Sequence, residues 1–311
     1  MPQPTAARPT PEHTRTTALK TAQPTTPDHA PPAPEHTRPT PGHGRPAAPG
    51  YAFDNATPHS TEQHRCLAAA YDPVTLPRLA ATGVGPGWAC LEVGAGGGSV
   101  ARWLAGLVGP SGAVTATDLD PRHIAPAPHL EVRAHDIVRD PLPENHYDLV
   151  VARLVLQHVP ERRAVLARLV RALRPGGVLQ IDEFDTSYEP PLLAPDLESA
   201  QLYADFLAAK SAALRAAGGD PHWGRHVPGA LRDTGLVEID VHPHVEVRHA
   251  GSPSLQLQLH HTHHLRDRLL AQGLTDHQLD RVQRLMADPG FRAASSVLYS
   301  TQGRKPGGAS R

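Results

Sequence analysis

Residues 89–99 read Ala-Cys-Leu-Glu-Val-Gly-Ala-Gly-Gly-Gly-Ser, and an apolar helical pattern then runs through Val108. A short apolar strand, a glycine-rich turn and a helix in immediate succession constrain the fold more than any other feature. Glycines admit positive φ, and they let a ligand lie against bare main chain at a helix N-terminus. A chain built this way expects its first strand inside an α/β sheet.

The sequence that follows keeps the alternation. Ala113–Asp118, Leu130–Ala134, Tyr147–Ala152 and Gly177–Phe184 read as strands, and Pro160–Leu173 reads as a helix with Val165, Leu166, Leu169, Val170 and Leu173 on one face. Strands separated by helices predict a parallel sheet with right-handed crossovers. Tyr51–Leu79 predicts one or two short helices. Asp196–Ala217, Val227–Asp233, Ser254–Gln272 and Asp276–Met286 read as helices, with strands at Leu236–Val247 and Ser296–Gln302.

Residues 1–50 differ in kind. They hold 13 of the 34 prolines, repeat Pro-Glu-His-Thr-Arg twice, and carry almost no large apolar side chain. Such a segment buries too little surface to offset its ordering entropy and is expected to be disordered. The remaining 51–305 is expected to form one domain. A formal net charge of −1 excludes binding nucleic acid by bulk charge. Two cysteines exclude a disulfide framework and a Cys-rich zinc site. No apolar run is long enough for a membrane span, and no leader pattern opens the chain, so a cytoplasmic location is expected.

No Gly-x4-Gly-Lys occurs, which excludes a P-loop. A dinucleotide fingerprint from Gly94 fails at Ser99, and one from Gly96 ends on Ala101 and starts late after the strand. The spacing Glu92-x-Gly94-x-Gly96-x-Gly98 fits without adjustment, and an acid there suits an ammonium and repels a pyrophosphate. Asp118, closing the second strand, suits ribose hydroxyls, with Asp120 as its rival. Asp136, just past the third, suits an adenine amino group. Together these acids describe an adenosine that carries a cationic amino acid.

In Glu92–Gly98, Thr117-Asp118-Leu119-Asp120, His135-Asp136-Ile137, Tyr147–Val151 and Leu173-Arg174-Pro175-Gly176-Gly177, the chain resembles the class I S-adenosylmethionine-dependent methyltransferases from about residue 86 to 185. Its flanks Tyr51-Ala-Phe53-Asp54-Asn55-Ala56, Gly219-Asp220-Pro221 and Gly303-Arg304-Lys305-Pro306 are similar to a bacterial small-molecule subgroup. The resemblance implies a Rossmann-like doubly wound seven-stranded sheet with its last strand antiparallel. A helical cap and an insertion at 186–225 would build a substrate pocket. It implies S-adenosyl-L-methionine as cofactor, held by Glu92, Gly94, Ala95, Gly96, Gly98, Ser99, Asp118, Leu119, Asp136, Ile137, Arg153 and Tyr51.

The implied reaction is methylation, at O, N or C, of a small and hydrophobic metabolite, as in secondary metabolism. Peptide or RNA methylation, or cofactor binding without methyl transfer, stay open. Expected partners are the acceptor and a second copy in a homodimer, with no nucleic acid, membrane or metal. Catalytic candidates are His158 after the fourth strand, one of the acids Asp182, Glu183 and Asp185 that end the fifth, with Glu183 put first, and His261 in the cluster His260-His261-Thr262-His263-His264. For His158 packing of its loop competes with that role, and for the three acids a solvated rim does. For Arg153 a salt bridge to a nearby acid competes with a ligand contact, and for the His cluster a structural or surface role competes with a substrate-facing one. Tyr51, Phe53 and Tyr71 are candidates to close a lid, and for Phe53 core packing competes equally with that role.

Overall fold

The computed structural model describes Phe53 and residues 55–307. The expectations for residues 1–50 and for Tyr51 lie outside the described residues. Five strands, β1 (Ala89–Val93), β2 (Ala113–Asp118), β3 (Leu130–Ala134), β4 (Tyr147–Arg153) and β5 (Leu173–Asp185), pair in parallel in the order β3-β2-β1-β4-β5. Two later strands, β7 (Val237–His244) and β10 (Val297–Arg304), complete a seven-stranded sheet ordered β3-β2-β1-β4-β5-β10-β7. β10 is antiparallel to both of its neighbours, as expected of the last strand.

Strand order reverses at β1, with β2 on one side and β4 on the other. An open α/β sheet leaves its ligand crevice at that point, outside the carboxyl ends of the strands. Here those ends carry the glycine loop.

The sheet centre is buried on both faces, which explains the nearly continuous apolar runs of β1 and β4. On one face α2 (Ser99–Val108) packs Leu104 and Val108 against Cys90, Val114 and Leu149. On the other, α3 (Arg162–Ala172) and α5 (Trp223–Asp233) pack Leu166, Leu169 and Leu231 against Leu91, Val150 and Ile181. A third apolar cluster, with Tyr203, Phe206 and Phe291, joins α4 (Leu197–Ala216), α6 (Pro253–His264), α7 (Arg266–Ala271) and α8 (Asp276–Ala287) into a helical cap.

Several local expectations are corrected. α1 is a single helix, Ser60–Ala81, despite Pro73 and Pro77. Each proline removes one backbone bond, but Cys66, Tyr71, Thr75 and Leu79 bury the helix, and Asp72 and Thr75 bond to β4 and β5. The run Leu236–Val247 divides after His244. Val247–His249 (β8) leaves the main sheet and, with β6 (Pro191–Leu193) and β9 (Arg292–Ala294), makes a small antiparallel sheet ordered β6-β9-β8. The switch is held by Glu246, whose carbonyl accepts from the Ser295 amide at 2.8 Å and whose amide donates to Ser295 Oγ at 3.0 Å. Ser254–Gln272 breaks into α6 and α7 at the buried Leu265. β5 begins four residues early, through a bulge that takes up Pro175-Gly176-Gly177, with Gly176 at φ +82°. Among the described residues no helix is long and apolar enough to cross a membrane.

Candidate cofactor and acceptor site

A cavity of about 810 Å³ opens at the carboxyl ends of β1, β2 and β4. One wall is strand ends and glycine loop; the others come from α1, α4 and α6, from the turn after β4 and from the segment holding Phe53 and Asn55.

Gly94, Gly96 and Gly98 all sit at positive φ, +64°, +54° and +68°. Gly94 also lacks room, since a Cβ there would stand 2.5 Å from Val155 Cγ2. Gly98 occupies the left-handed N-cap of α2, so the loop presents its main chain at a helix N-terminus. The amide of Ala95 donates to Thr117 O at 2.9 Å and that of Gly96 to Asp118 Oδ2 at 2.9 Å, tying the loop to β2.

The three acids line this cavity. Glu92 is 3% exposed, and its Oε2 has no hydrogen-bond partner. Burial pushes its carboxyl up to about 8, against the nearby Arg153 guanidinium and a hydrogen bond from the Ala101 amide. An orphaned buried carboxylate oxygen is costly unless a cationic donor completes it. Asp118 Oδ1 accepts from the Asp120 amide at 3.0 Å and from Asn55 Nδ2 at 3.2 Å, while burial raises its pKa. Its rival Asp120 turns away to Arg122, 2.7 Å from Nε, and does not line the cavity. Asp136 Oδ1 accepts from the Val138 amide at 2.9 Å, so its turn holds Ile137 at the cavity edge. Leu119 also faces the cavity.

Arg153 and Ser99 line the wall but are committed to α1. Arg153 Nη1 lies 2.7 Å from Asp72 Oδ1, which also accepts from Ser99 Oγ at 3.0 Å. The guanidinium is therefore a strut between β4 and α1, with the acid partner that the sequence left as its alternative.

The expectation that Glu183 faces substrate is corrected. Glu183 is fully buried and does not line the cavity. Its Oε1 accepts from the amides of Leu156 (2.6 Å) and Val155 (3.1 Å), pinning the turn after β4, and burial lifts its pKa to about 8. The adjacent acids are also taken. Asp182 accepts from Thr75 Oγ1 at 2.7 Å, and Asp185 bonds to Arg225 and His222. Strand alternation turns successive side chains to opposite faces, and these faces are packed.

His158 and His261 do line the cavity, each against Phe53, with ring centroids 5.6 and 4.8 Å from it. Burial drives His158 down to about 4 and His261 well below the ordinary histidine value, so both rings are neutral near pH 7. His264 is not on the cavity. It bonds to Gln63 Oε1 at 2.8 Å. Among the described residues, Glu62, Cys66 and His260 bring potential metal ligands together, but Glu62 is held by Arg65 on both oxygens.

Phe53 lines the cavity, 7% exposed, and is part of the apolar cluster of the cap, the core-packing reading left open for it. Tyr71 does not line the cavity; it is fully buried against Phe184, ring centroids 5.2 Å apart, which corrects the lid expectation there. Sequence reasoning missed Asn55, His64, His123 and Lys210. His64 Nε2 bonds to Asn55 Oδ1 at 3.0 Å, His123 Nε2 to the Asn55 carbonyl at 2.9 Å, and Asn55 reaches Asp118. The imidazole of His64 lies on the loop, where a Gly96 Cβ would come within 2.8 Å. The only signal for this network was the flank containing Asn55. The histidines were hidden in a chain with 21 of them.

Residues 91–181 match a family model described as a methyltransferase domain. The chain is 32% identical over 129 residues to the ubiquinone/menaquinone biosynthesis C-methyltransferase UbiE of Cupriavidus necator, over 39% of this chain and 53% of that protein. It is 36% identical over 140 residues to methyltransferase str2 of Strobilurus tenacellus, over 43% of this chain and 48% of that protein. The chain thus spans about half the length of the curated relatives it matches. Among solved structures, Haemonchus contortus phosphoethanolamine N-methyltransferase 2 in complex with S-adenosyl-L-methionine is similar at 17% identity and a TM-score of 0.47, over 83% of this chain and 60% of that one. The sheet order, the loop with its three acids, and the match across 91–181 agree: these residues are similar to the methyltransferase domain of S-adenosylmethionine-dependent methyltransferases.

Proposed function

We propose that the chain methylates a small, hydrophobic metabolite at O, N or C. The observation that carries this reading is the orphaned Oε2 of Glu92, buried on the cavity wall beside a glycine loop at positive φ. Those features fit the family's cofactor.

In this reading Glu92 receives the ammonium of the methionine moiety. The main chain of Gly94–Gly98 packs against the ligand, with Ala95 and Ser99 within the same turn. Asp118 takes the ribose hydroxyls, Leu119 packs beside them, and Asp136 with Ile137 forms the adenine edge. Arg153 acts by holding α1 over the loop. When bound, the cofactor supplies an electrophilic methyl group whose departure leaves a neutral thioether.

The chain's own contribution is placement, exclusion of water and handling of the acceptor's proton. Placement alone contributes roughly 7–11 kcal/mol in well-oriented reactions. His158 and His261, neutral and on the cavity, are the groups proposed to accept or orient that proton. Phe53 packs against both and covers the site. Glu183 holds the turn that carries His158.

The proposed domain is 51–305, with 86–185 as its cofactor half and 186–225 as an insertion that builds the acceptor pocket. Thr186, Lys210, Leu214 and Ala217 on the cavity support the latter. A cytoplasmic location, a role in secondary metabolism and a homodimer belong to the same proposal. The test is calorimetric titration with S-adenosylhomocysteine and with NAD, followed by a metabolite screen read by mass gain of one methyl group. Heat from NAD alone overturns the cofactor half, and binding without any methylated product favours a protein that uses the site without methyl transfer.

A further inference from the structure

We infer that the acceptor is held through an anionic oxygen at Lys210, a buried ammonium on the helical wall of the cavity. The inference rests on the proposed function and names the chemical class of its substrate.

Lys210 is one of only three lysines among the thirty Lys and Arg residues of the chain, and it lies on α4, 4% exposed, lining the cavity. Its Nζ donates to Gln258 Oε1 at 2.7 Å. The nearest carboxylate, Glu189, is 3.9 Å away, beyond hydrogen-bond distance. Glu189 is instead neutralised by the fully buried Arg248, whose Nη1 stands 2.7 Å from Oε2. One buried acid therefore serves two buried cations, and the surplus positive charge sits on the one that faces the cavity.

An ammonium has three donors, and Lys210 has one partner within hydrogen-bond distance among the described residues. A buried charge without a full set of partners is expensive, and a ligand oxygen bearing negative charge completes this one. The other titratable groups nearby do not compete for that role. His261, on α6, is held neutral by burial and by Lys210 itself, and Tyr203 and Tyr71 flank Arg248. Burial, opposed by Glu189, brings the Lys210 ammonium down to about 8, so it stays mostly charged at neutral pH. Leu214, Leu257 and Phe184 line the same cavity. An apolar body ending in a carboxylate, or in an ionised phenol or enol, matches these groups.

The test uses protein loaded with S-adenosylhomocysteine and two anionic probes, benzoate and p-nitrophenolate. Their neutral counterparts are benzamide and p-nitroanisole. By calorimetry at least one anion should bind about tenfold or more tightly than its counterpart, the size expected of a charge-assisted hydrogen bond. Benzoate alone would assign a carboxylate, and p-nitrophenolate alone a phenol or enol. In protein carrying 13C-lysine, one of the three lysine signals should shift with the anion and not with the neutral probe. Lys210→Met should abolish the preference while leaving S-adenosylhomocysteine affinity intact, and Lys210→Arg should keep part of it. If Lys210→Met does not fold, the preference and the lysine signal of the unmodified protein decide. Equal binding of charged and neutral probes, no binding of either anion, or a preference that survives Lys210→Met overturns the inference. Failure of S-adenosylhomocysteine itself to bind would overturn the cofactor reading instead.

Discussion

Asp118 Oδ2 accepts the amide hydrogen of Gly96 at 2.9 Å, so the acid that ends the second strand braces the loop that leaves the first. Its other oxygen accepts the Asp120 amide. Asp118→Ala should therefore weaken S-adenosylhomocysteine binding by about 10- to 100-fold, the range for losing hydrogen bonds to a charged group. Asp118→Asn should rescue little, because an amide places a donor against one of two backbone donors. Calorimetry measures the first effect, and faster amide exchange at Gly96 in both variants measures the second.

The ordinary glutamate value is 4.5, and folded Glu92 titrates at about 8. Between those values the folded state holds a proton that the unfolded state has released, so stability falls as pH rises through that window. Ligand-free Glu92→Gln should escape this loss. Its melting temperature should exceed that of the unmodified protein by a margin that grows from about pH 5 to pH 8. Saturating S-adenosylhomocysteine should reverse the order, because only the carboxylate completes an ammonium. Thermal melts across pH, with and without ligand, check both signs.

Glu183 titrates high for the same reason, but it faces backbone amides and not the cavity. Glu183→Gln keeps a carbonyl oxygen for Leu156 and should leave kcat and its pH profile unchanged. Glu183→Ala leaves the buried Leu156 amide and the half-buried Val155 amide without their acceptor and should cost about 1–3 kcal/mol for the buried one, read by denaturant unfolding. A kcat collapse in Glu183→Gln with a normal melt would restore it as a base.

His158→Ala should lower kcat and leave S-adenosylhomocysteine affinity nearly unchanged. Because burial has moved its titration to about 4, the activity of the unmodified protein should show no limb near pH 6.5 that disappears in this variant. Steady-state rates from pH 5 to 8 test this.

Arg248 neutralises Glu189, and both side chains are buried. Arg248→Met should destabilise the fold by about 3–5 kcal/mol, the usual cost of stripping one member of a buried pair. Chemical denaturation gives the value.

The glycine loop and the strand-end acids of the wall proposed for the cofactor were legible in the chain, while the Asn55, His64 and His123 network over it was not. An apolar strand, three alternate glycines and acids at successive strand ends are local features, and parallel pairing brings strand ends together without further information. The register of the sheet follows from which residues are apolar, and the crossovers follow from the helices between them.

The wall proposed for the acceptor was decided by tertiary packing. Lys210, Gln258, Glu189 and Arg248 come from four separate segments, and only the closed cap shows that one acid is shared by two cations. The fate of Glu183 was equally hidden, since Asp182, Glu183 and Asp185 look alike along a strand and differ only in what packs against each. Charge, exposure and proton affinity are set by neighbours in space. The loop's positive φ is permitted by its own glycines, whereas the partners of Lys210 and Glu183 are distant in the chain.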